Sequence, residues 1–352
     1  MERIHKVTKD ICAIDNSIVE KTQKRLDNLT KPLGSLGRLE ELAKQICGIS
    51  AKEDPSLSNK VIFTLAADHG VTEEGVSPYP KEVTAQMVYN FLSGGAGINV
   101  LAAHVGARVV VADLGVCVDL KADPKLLDRK INYGTRNMAK GPAMTKEEAL
   151  KSICAGVEIF EEEYKKGIDI VGTGEMGIGN TTSASALTAV FTKAAVKEIT
   201  GRGAGLDDAG LKNKIEIIEK AISLNKPDPA DPIDVLSKVG GFEIGGLAGI
   251  ILCAASKKVP VVIDGFISGA AALTAYRIEP KVKNYMIASH CSVEGGHKII
   301  LQYLGLKPLL DLNLRLGEGT GGALGIGLAD ASLKILAQMA TFKSANVSER
   351  TK

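Results

Sequence analysis

Short runs of apolar residues recur along the chain from residue 60 onward, and each run ends in small or acidic residues. Five such runs are Val61–Ala66, Ala107–Val111, Ile168–Val171, Val259–Ile263 and Tyr285–Ala288, and Leu309–Leu314 is a candidate sixth. Helical patterns of ten or more residues separate most of them, an alternation that is typical of parallel sheets. Because the runs are apolar throughout, both faces of the sheet should be covered. The pattern predicts an α/β fold with a largely parallel sheet of about six strands.

The two ends of the chain have a different pattern. Helical spacing of apolar residues covers Ile18–Leu29 and Leu36–Ile49, with a breaker-rich loop at Lys31–Gly37, and a long apolar helix is predicted over Ala323–Met339. We expect residues 1–55 and 323–352 to form a small helical subdomain. Residues 56–322 would then form a large α/β domain.

Charge and composition exclude several classes of function. The 352 residues carry a net charge of +2, so neither a nucleic acid nor a membrane is expected as a partner. No apolar run reaches the ~18 residues that span a bilayer, and the polar start of the chain lacks a secretory h-region. Six cysteines without a C-x-x-C pair indicate reduced thiols. We therefore expect a cytoplasmic enzyme or binding protein.

The glycine-rich stretch after Val171 is the strongest local signal. An apolar run leads into a loop with one acid, Glu175, and an alanine-rich helical pattern follows Thr182. A strand, a glycine loop and a helix N-terminus together form a seat for an anion such as phosphate. The loop fits neither a Walker A motif nor the dinucleotide fingerprint. A tight turn without a ligand is the alternative.

A second glycine-rich loop, Arg315–Ala323, carries Glu318 between two glycines. Glycines leave a carboxylate accessible and let a planar ligand approach closely. The alternative is that Glu318 only caps the helix that follows. Two carboxylates on separate glycine loops favour acid–base chemistry.

Other polar residues follow predicted strands, at the sheet edge where ligands bind in open α/β folds. They are Asp68, His69, Asp113, Asp264 and His290. The acids could instead cap helices or close loops, and the histidines could be hydrogen-bonded core residues. No His or Cys cluster has the spacing of metal ligands, so no metal is expected. Lys212 and Lys214 could each supply charge to an anion, or each could be a solvated helix residue.

Seven motifs occur in one order along the chain and identify a resemblance. They are Lys31–Glu40, Ala67–Val71, Gly174–Thr182, Gly201–Asp208, Val235–Gly241, Asp264–Phe266 and Arg315–Gly319. From about residue 20 to about residue 340, the chain closely resembles the nicotinate-nucleotide:dimethylbenzimidazole phosphoribosyltransferases. The resemblance implies a doubly wound parallel sheet, a small domain of helices from both termini, and a homodimer. It also implies transfer of phosphoribose from nicotinate mononucleotide to 5,6-dimethylbenzimidazole, giving α-ribazole 5′-phosphate and nicotinate for cobamide assembly.

The resemblance also implies roles for individual residues. Glu318 matches the catalytic base, and Glu175 matches a second functional acid. Phosphate and nucleotide positions are matched by Gly177, Gly179, Asn180, Thr181, Thr182, Lys214, Asp264, Gly265 and Ser292. The scheme uses neither a metal nor an organic cofactor.

The segment Ser77–Met87 departs from the family pattern where the pocket for the incoming base is expected. It carries Tyr79, Gln86 and Met87, and methionine is an adaptable wall residue. The accepted base could therefore be dimethylbenzimidazole, another benzimidazole, a purine or a phenol. Two other functions stay open: a different phosphate-handling transferase or hydrolase, and a nucleotide-binding protein without catalytic activity.

Overall fold

The computed structural model describes residues 1–348, so the last four residues of the predicted helical subdomain lie outside the described residues. The described residues form six strands and fifteen α-helices. The strands are β1 (Lys60–Ala67), β2 (Ala107–Gly115), β3 (Leu126–Asp128), β4 (Ile170–Met176), β5 (Val261–Ile263) and β6 (Met286–Ala288). The helices before β4 are α1 (Glu2–Lys9), α2 (Asn16–Asp27), α3 (Arg38–Ser50), α4 (Glu82–Ser93), α5 (Gly97–Val105) and α6 (Lys146–Tyr164). The later helices are α7 (Asn180–Thr192), α8 (Val196–Ile199), α9 (Asp208–Asn225), α10 (Pro232–Val239), α11 (Phe242–Ser256), α12 (Phe266–Ile278), α13 (Gly295–Leu304), α14 (Thr320–Gln338) and α15 (Phe342–Ala345).

All the strand pairs are parallel, in the order β3-β2-β1-β4-β5-β6. The predicted parallel α/β fold is confirmed. From β1 the chain builds outward in one direction through β2 and β3, and from β4 it builds in the other. Ligands of doubly wound sheets bind where this reversal occurs, beyond the carboxyl ends of the strands. That place is the gap between β1 and β4.

Five of the predicted strands are confirmed, and the sixth is wrong. Leu309–Leu314 is irregular, with a single bridge between Leu310 and His290, because Asn313 takes a left-handed backbone with φ of 56°. The sixth strand is instead β3, which the sequence does not reveal. It has three residues at the edge of the sheet and no fully buried side chain, so its apolar signal is weak.

The central strand β1 is buried on both faces. Val61, Phe63 and Leu65 pack into one core, which includes residues of α6 and α11. Ile62 and Ala66 point the opposite way, into a second core shared with α3, α5 and α14. Successive side chains of a strand alternate between faces, so a sheet covered by helices on both sides requires this continuous apolar run.

Helices from the two ends of the chain meet on one side of the sheet. Helix α3 packs against both α2 and α14, and the amide of Thr30 donates to the carbonyl of Ala340 over 3.0 Å. Helix α1 packs elsewhere, on α11 and α6. The division into two domains stays a prediction.

Two features concern the environment of the protein, the state of its cysteines and the character of its helices. Each of the six cysteines is a free thiol. Among residues 1–348, the structure contains no helix that combines the length and apolarity needed to cross a membrane.

Candidate functional site

Strand β4 carries Glu175 to the carboxyl edge of the sheet. The sequence indicates that the strand ends at Val171, but it continues through the glycines to Met176. A Cβ on Gly174 would collide with the carbonyl oxygen of Glu318. The glycines therefore lie in the strand to let a second loop approach its backbone, and Glu175 is a strand residue.

Glu318 lies on that second loop, immediately before α14. Its backbone is left-handed with φ of 62°, and its carbonyl accepts a hydrogen bond from the Thr64 hydroxyl of β1 over 3.0 Å. A non-glycine residue in this conformation is held against a backbone cost, a situation found often at functional sites. Its carboxylate oxygen Oε2 accepts from the amide of Ile98 over 3.1 Å, at the start of α5. Both the backbone and the carboxylate of Glu318 are therefore fixed.

Burial raises the pKa of Glu318, and the nearby charge of Asp264 raises it further, while the Ile98 amide opposes both. The carboxyl group is thus a stronger base than an exposed glutamate once it is ionised. Its position also answers the capping alternative. The Glu318 carboxylate bonds to the first turn of α5, whereas a different acid caps α14, the helix that follows Glu318 in the chain.

That acid is Asp264, which comes directly after β5. Its Oδ2 accepts from the amide of Gly319 over 3.1 Å, and its Oδ1 accepts from the amide of Gly322 over 3.0 Å. The carboxylate is fully buried by the first turn of α14. The sequence indicates a position near the nucleotide, and the observed contacts are with the loop that carries Glu318. Asp264 therefore supports that loop directly.

Glu175 is the second buried acid of the centre. Its Oε2 accepts from the side-chain amide of Asn180 over 2.5 Å, and a Cβ on Gly317 would collide with its Oε1. Burial raises the pKa of Glu175 to about 8, with further contributions from the charges of Asp264, Glu243 and Glu318 and opposition from Asn180. Because each of these carboxylates disfavours ionisation of the next, the centre favours a ligand with positive charge.

A seat for an anion lies beside Glu175, at the N-terminus of α7. The ammonium group of Lys214 donates to the hydroxyl of Thr181 over 2.7 Å, and a Cβ on Gly203 would lie 3.2 Å from the same nitrogen. Lys214 is completely buried, and burial lowers its pKa to about 8 against the opposing charge of Glu294. Lys212, by contrast, is a solvated residue with a side chain 80% exposed. The structure thus separates the two candidate lysines.

Some backbone amides of this seat already donate within the protein and are not available to an anion. The amide of Ile178 donates to the Thr84 hydroxyl over 3.1 Å, while those of Asn180 and Thr182 donate to the carbonyls of Gly177 and Gly179. The first turn of a helix leaves some amides without an intrahelical acceptor. Within residues 1–348, the amides of Gly179 and Thr181 have no backbone acceptor. Those two groups point to where an anion would be held.

Two further predicted nucleotide residues lie in the neighbouring loops. Ser292 is buried, and its hydroxyl accepts from the amide of Glu294 over 3.3 Å. The carboxylate of Glu294 accepts from the amide of Gly203 over 3.1 Å, which joins this loop to the seat. Gly265 lies against the ring of His290, with its missing Cβ 3.6 Å from Nε2. Their roles in binding stay predictions.

The three residues predicted to line the base pocket differ in how exposed they are. Tyr79 and Gln86 are exposed, while Met87 is partly buried and packs against the core that contains α14. Helix α4, which carries Gln86 and Met87, is tied to the seat through Thr84. This places α4 beside the glycine loop that follows β4, and the roles of Tyr79, Gln86 and Met87 in the pocket stay predictions.

The remaining polar residues at strand ends have structural partners. Asp113 Oδ1 accepts from the amides of Gly115 and Val116, and its Oδ2 lies 2.8 Å from Lys130 Nζ. Asp68 Oδ2 accepts from the amide of Cys117 over 2.8 Å. Both aspartates close loops, as the capping alternative predicts.

The two histidines are buried core residues with polar contacts. The Nε2 atom of His290 lies 3.7 Å from Asp264 Oδ1, and its ring packs beside that of His297. His69 contacts Ser183 and Glu243. The alternative of structural histidines therefore fits both positions.

Sequence reasoning missed several residues that shape the centre. Gly97 lets the carboxylate of Glu318 approach, since its Cβ would lie 3.5 Å from Oε2. Leu316 is 60% exposed beside Gly97, an apolar side chain next to a catalytic candidate. Its place inside the glycine-rich loop Arg315–Ala323, two residues before Glu318, is the sequence signal that could have identified it. For Thr84 and Ile98, the sequence carries no comparable signal, because their contacts come from distant parts of the chain.

A surface cavity of about 470 Å³ lies elsewhere, at the outer edge of the sheet near the start of β2. Its charged lining includes Arg108 and Lys166, both of which pair with Glu163. It contains none of the predicted site residues. In the described part of the chain, no group of three or more His, Cys, Asp and Glu side chains could hold a metal ion.

Comparisons with known proteins find relatives that match nearly the whole chain. A family model described as phosphoribosyltransferase matches residues 11–347. A relative from Geobacter metallireducens named nicotinate-nucleotide–dimethylbenzimidazole phosphoribosyltransferase is 56% identical over 99% of this chain and 98% of its own length. A relative of the same name from Desulforudis audaxviator is 54% identical over 99% of each chain. The crystal structure of the enzyme of that name from Thermus thermophilus has a TM-score of 0.91 and 42% identity. The match covers 96% of this chain and 100% of that one.

Proposed function

The chain belongs to the nicotinate-nucleotide–dimethylbenzimidazole phosphoribosyltransferase family, and on that premise we propose how its centre performs the transfer. The enzyme transfers the phosphoribosyl group of nicotinate mononucleotide to 5,6-dimethylbenzimidazole. The products are α-ribazole 5′-phosphate, the nucleotide of the cobamide lower ligand, and nicotinate. Two fixed acids beside an anion seat at the β1–β4 switch point are the observation that carries this assignment.

The seat holds the 5′-phosphate of the nucleotide. Lys214 supplies positive charge, while the hydroxyl of Thr181 and the amides of Gly179 and Thr181 supply donors at the positive end of α7. The other predicted phosphate residues, Gly177, Asn180 and Thr182, complete the loop. The seat takes no part in bond breaking. It fixes the ribose so that attack on C1′ becomes effectively unimolecular.

Glu318 is the general base. One ring nitrogen of the neutral benzimidazole attacks C1′, and the N–H on the other nitrogen becomes acidic as the new bond forms. The carboxylate of Glu318 takes that proton, while the bonding electrons of the breaking C1′–N bond pass to the nicotinate nitrogen. The Ile98 amide and the Thr64 hydroxyl hold the base in place before the substrate arrives.

Glu175 stabilises positive charge at the sugar. The nicotinate nitrogen of the nucleotide is a pyridinium cation, and the departing ring leaves C1′ with oxocarbenium character. A nearby carboxylate is stabilised in its ionised form by either charge, which offsets the burial that raises the pKa of Glu175. The incoming and leaving rings lie on opposite faces of the ribose, so the β-nucleotide gives the α-product.

Product analysis tests this function against its alternatives. The purified chain is incubated with nicotinate mononucleotide, with and without dimethylbenzimidazole, and nicotinate and α-ribazole 5′-phosphate are quantified. We expect equal amounts of the two products and release that depends on the added base. Release with water alone would identify a hydrolase, and binding without release would identify a non-catalytic nucleotide-binding protein. Turnover should be unchanged after dialysis against a chelator, since the scheme uses no metal.

The identity of the preferred base is a separate question. We propose that Tyr79, Gln86 and Met87 contribute to the base pocket, and that the pocket accepts dimethylbenzimidazole or a related aromatic base. A competition assay that offers several benzimidazoles, adenine and phenols together measures the preference directly. Exclusive use of a purine would overturn the assignment of dimethylbenzimidazole.

We further propose that the enzyme is a cytoplasmic homodimer. The family resemblance supports the dimer, and the free cysteines are consistent with a reducing compartment. Light scattering on the purified chain should give twice the mass of one chain. A monomeric mass at micromolar concentration would contradict the dimer.

A further inference from the structure

A chain of three buried polar side chains lies beneath the anion seat. His69 Nδ1 lies 3.0 Å from the hydroxyl oxygen of Ser183, and His69 Nε2 lies 2.8 Å from Glu243 Oε1. The side chains of His69 and Glu243 are completely buried, and Ser183 is 1% exposed. The three residues come from the end of β1, the first turns of α7 and the first turn of α11. These three hydrogen-bonded side chains therefore connect the sheet to the helix that forms the seat.

The order of donors in this chain follows from its chemistry. In the tautomer that carries its hydrogen on Nε2, His69 donates to Oε1 of Glu243, which accepts. Nδ1 is then an acceptor, and the Ser183 hydroxyl must donate to it. In that arrangement both ring nitrogens have partners, so the ring orientation and the Ser183 rotamer are coupled, while Oε2 of Glu243 has no hydrogen-bond partner among residues 1–348.

Three glycines lie close to the His69 side chain. A Cβ on Gly177 would lie 3.4 Å from Cδ2 of His69, and one on Gly179 would lie 3.4 Å from its Cβ. A Cβ on Gly241, on the other side, would collide with Cε1. The nearest atoms to the two loop positions belong to other residues, the Ala67 carbonyl oxygen, with which a Cβ would collide, for Gly177 and Thr72 Cγ2 at 2.8 Å for Gly179. The loop that forms the seat therefore packs on His69 at ordinary contact distance, and His69 bonds in turn to Ser183 of α7.

We propose that Ser183, His69 and Glu243 form a positioning chain that sets the geometry of the phosphate seat. None of the three touches the phosphate. They hold the first turn of α7 against β1, so that the Gly179 and Thr181 amides and the Thr181 hydroxyl are aligned before the nucleotide binds. This inference rests on the proposed function, because the seat is taken to bind the nucleotide phosphate.

The arrangement is not a hydrolytic triad. The serine hydroxyl is bonded to Nδ1 of His69, and Ser183 is 1% exposed. A nucleophile must reach the reacting carbon to attack it. The chain therefore acts on binding through geometry, and its loss should affect nucleotide affinity more than the chemical step.

The test compares two alanine variants on the same helix. Ser183→Ala removes the oxygen that bonds to His69. Ser185→Ala is the matched control, since Ser185 is equally buried but its hydroxyl bonds only to the carbonyl of Thr181, within the same helix turn. Affinity for nicotinate mononucleotide is measured calorimetrically without the base, and KM and kcat are measured with dimethylbenzimidazole.

For Ser183→Ala we expect Kd and KM for the nucleotide to rise about tenfold, the effect of leaving one buried acceptor unpaired, with kcat within about twofold. Ser185→Ala should bind within about twofold of the unmodified protein. If Ser183→Ala lowers the melting temperature but leaves Kd unchanged, the three side chains serve core stability alone, and the proposal is overturned.

A conservative variant provides a second readout. Glu243→Gln keeps an oxygen acceptor for His69 Nε2, so nucleotide affinity should stay within about threefold. A loss as large as that of Ser183→Ala would contradict the hydrogen-bond chain described here. Because binding is measured without turnover, absence of product from the unmodified protein would refute the proposed reaction while leaving this comparison intact.

Discussion

At the scale of single residues, burial drives the ionisable groups of the centre toward their neutral forms. It raises the pKa values of Glu175 and Glu318 and lowers that of Lys214. Burial therefore opposes the charged forms of the two acids and of the lysine. A nucleotide with a phosphate and a pyridinium ring reverses both tendencies, because it brings an anion to the lysine and a cation to the acids.

The base assignment predicts the behaviour of Glu318→Gln. The amide keeps the size of the side chain but cannot take a proton, so kcat should fall by about 100-fold or more. The Kd for nicotinate mononucleotide should stay within about threefold, because the phosphate seat is untouched. Steady-state kinetics and calorimetry on the same preparation measure both quantities. Unchanged turnover would rule out Glu318 as the base.

The raised pKa of Glu175 predicts a pH-dependent loss of stability. The folded protein holds a proton on Glu175 up to about pH 8, whereas the unfolded chain releases it near the ordinary value of 4.5. Folded protein therefore binds more protons in this window, and stability falls as pH rises from about 4.5 to about 8. Glu175→Gln should remove this loss, which is on the order of a few kcal/mol.

Melting temperatures at pH 5 and pH 8.5 measure the effect. The variant and the unmodified protein should differ little at pH 5, and Glu175→Gln should melt higher at pH 8.5. Glu216→Gln, at an exposed glutamate of α9, is the control and should show no such difference. Parallel pH profiles for Glu175→Gln and the unmodified protein would contradict the burial argument.

The two lysines of α9 give a matched pair. Lys214→Met removes the buried ammonium group of the seat, and the Kd for nicotinate mononucleotide should rise at least about tenfold. Lys212→Met changes an exposed side chain, so Kd should stay within about twofold. In the unmodified protein, affinity should also weaken as pH rises through about 8, where Lys214 loses its charge. Equal effects of the two substitutions would refute the placement of the seat.

Much of the residue-scale chemistry could be predicted from the sequence. Glu175, Glu318 and the loop that ends at Thr182 stand out because glycines isolate them from ordinary helix or strand patterns. The choice of Lys214 over Lys212 came only from the family resemblance, since the residue pattern does not show which face of α9 meets the Gly203 loop. The partners of Asp264 were also hidden, because its two amide donors lie more than 50 residues away.

At the scale of elements, the centre is built by the close approach of β4 to the start of α14. Gly174 and the backbone of Glu318 are in contact, and Gly317 contacts the side chain of Glu175. The short apolar signal at Ile168–Val171 hides this junction, because glycines in a strand resemble a turn in the sequence. The structure shows that they let two backbones meet.

Two alanine substitutions in β4 test this junction. A Cβ on Gly174 would strike the Glu318 carbonyl, so Gly174→Ala should lower stability by about 1–3 kcal/mol and should also lower kcat. A Cβ on Gly172 would meet only the side chains of Ile62 and Ile326, at 3.0 and 3.2 Å. Gly172→Ala should therefore lower stability and keep kcat within about twofold. Denaturant unfolding and kinetics separate the two effects, and equal kcat values would contradict the role of the junction.

At the scale of the whole molecule, the function depends on a sheet that changes winding direction between β1 and β4. The parallel sheet could be predicted because strands buried on both faces read as continuous apolar runs. The strand order could not, since a single sequence does not record which strands pair. The edge strand β3 and the irregular segment at Leu309–Leu314 were misjudged because local hydrophobicity does not report sheet position or a left-handed residue such as Asn313.

The central claim is that one cleft holds a phosphate at the start of α7 and a base at Glu318. A crystal structure of the protein with α-ribazole 5′-phosphate tests it most directly. We expect phosphate oxygens on Lys214 and on the Gly179 and Thr181 amides, and a Glu318 carboxylate oxygen within about 3.5 Å of the free benzimidazole nitrogen. A Glu318 side chain turned away from the ring, farther than one bridging water, would contradict the account.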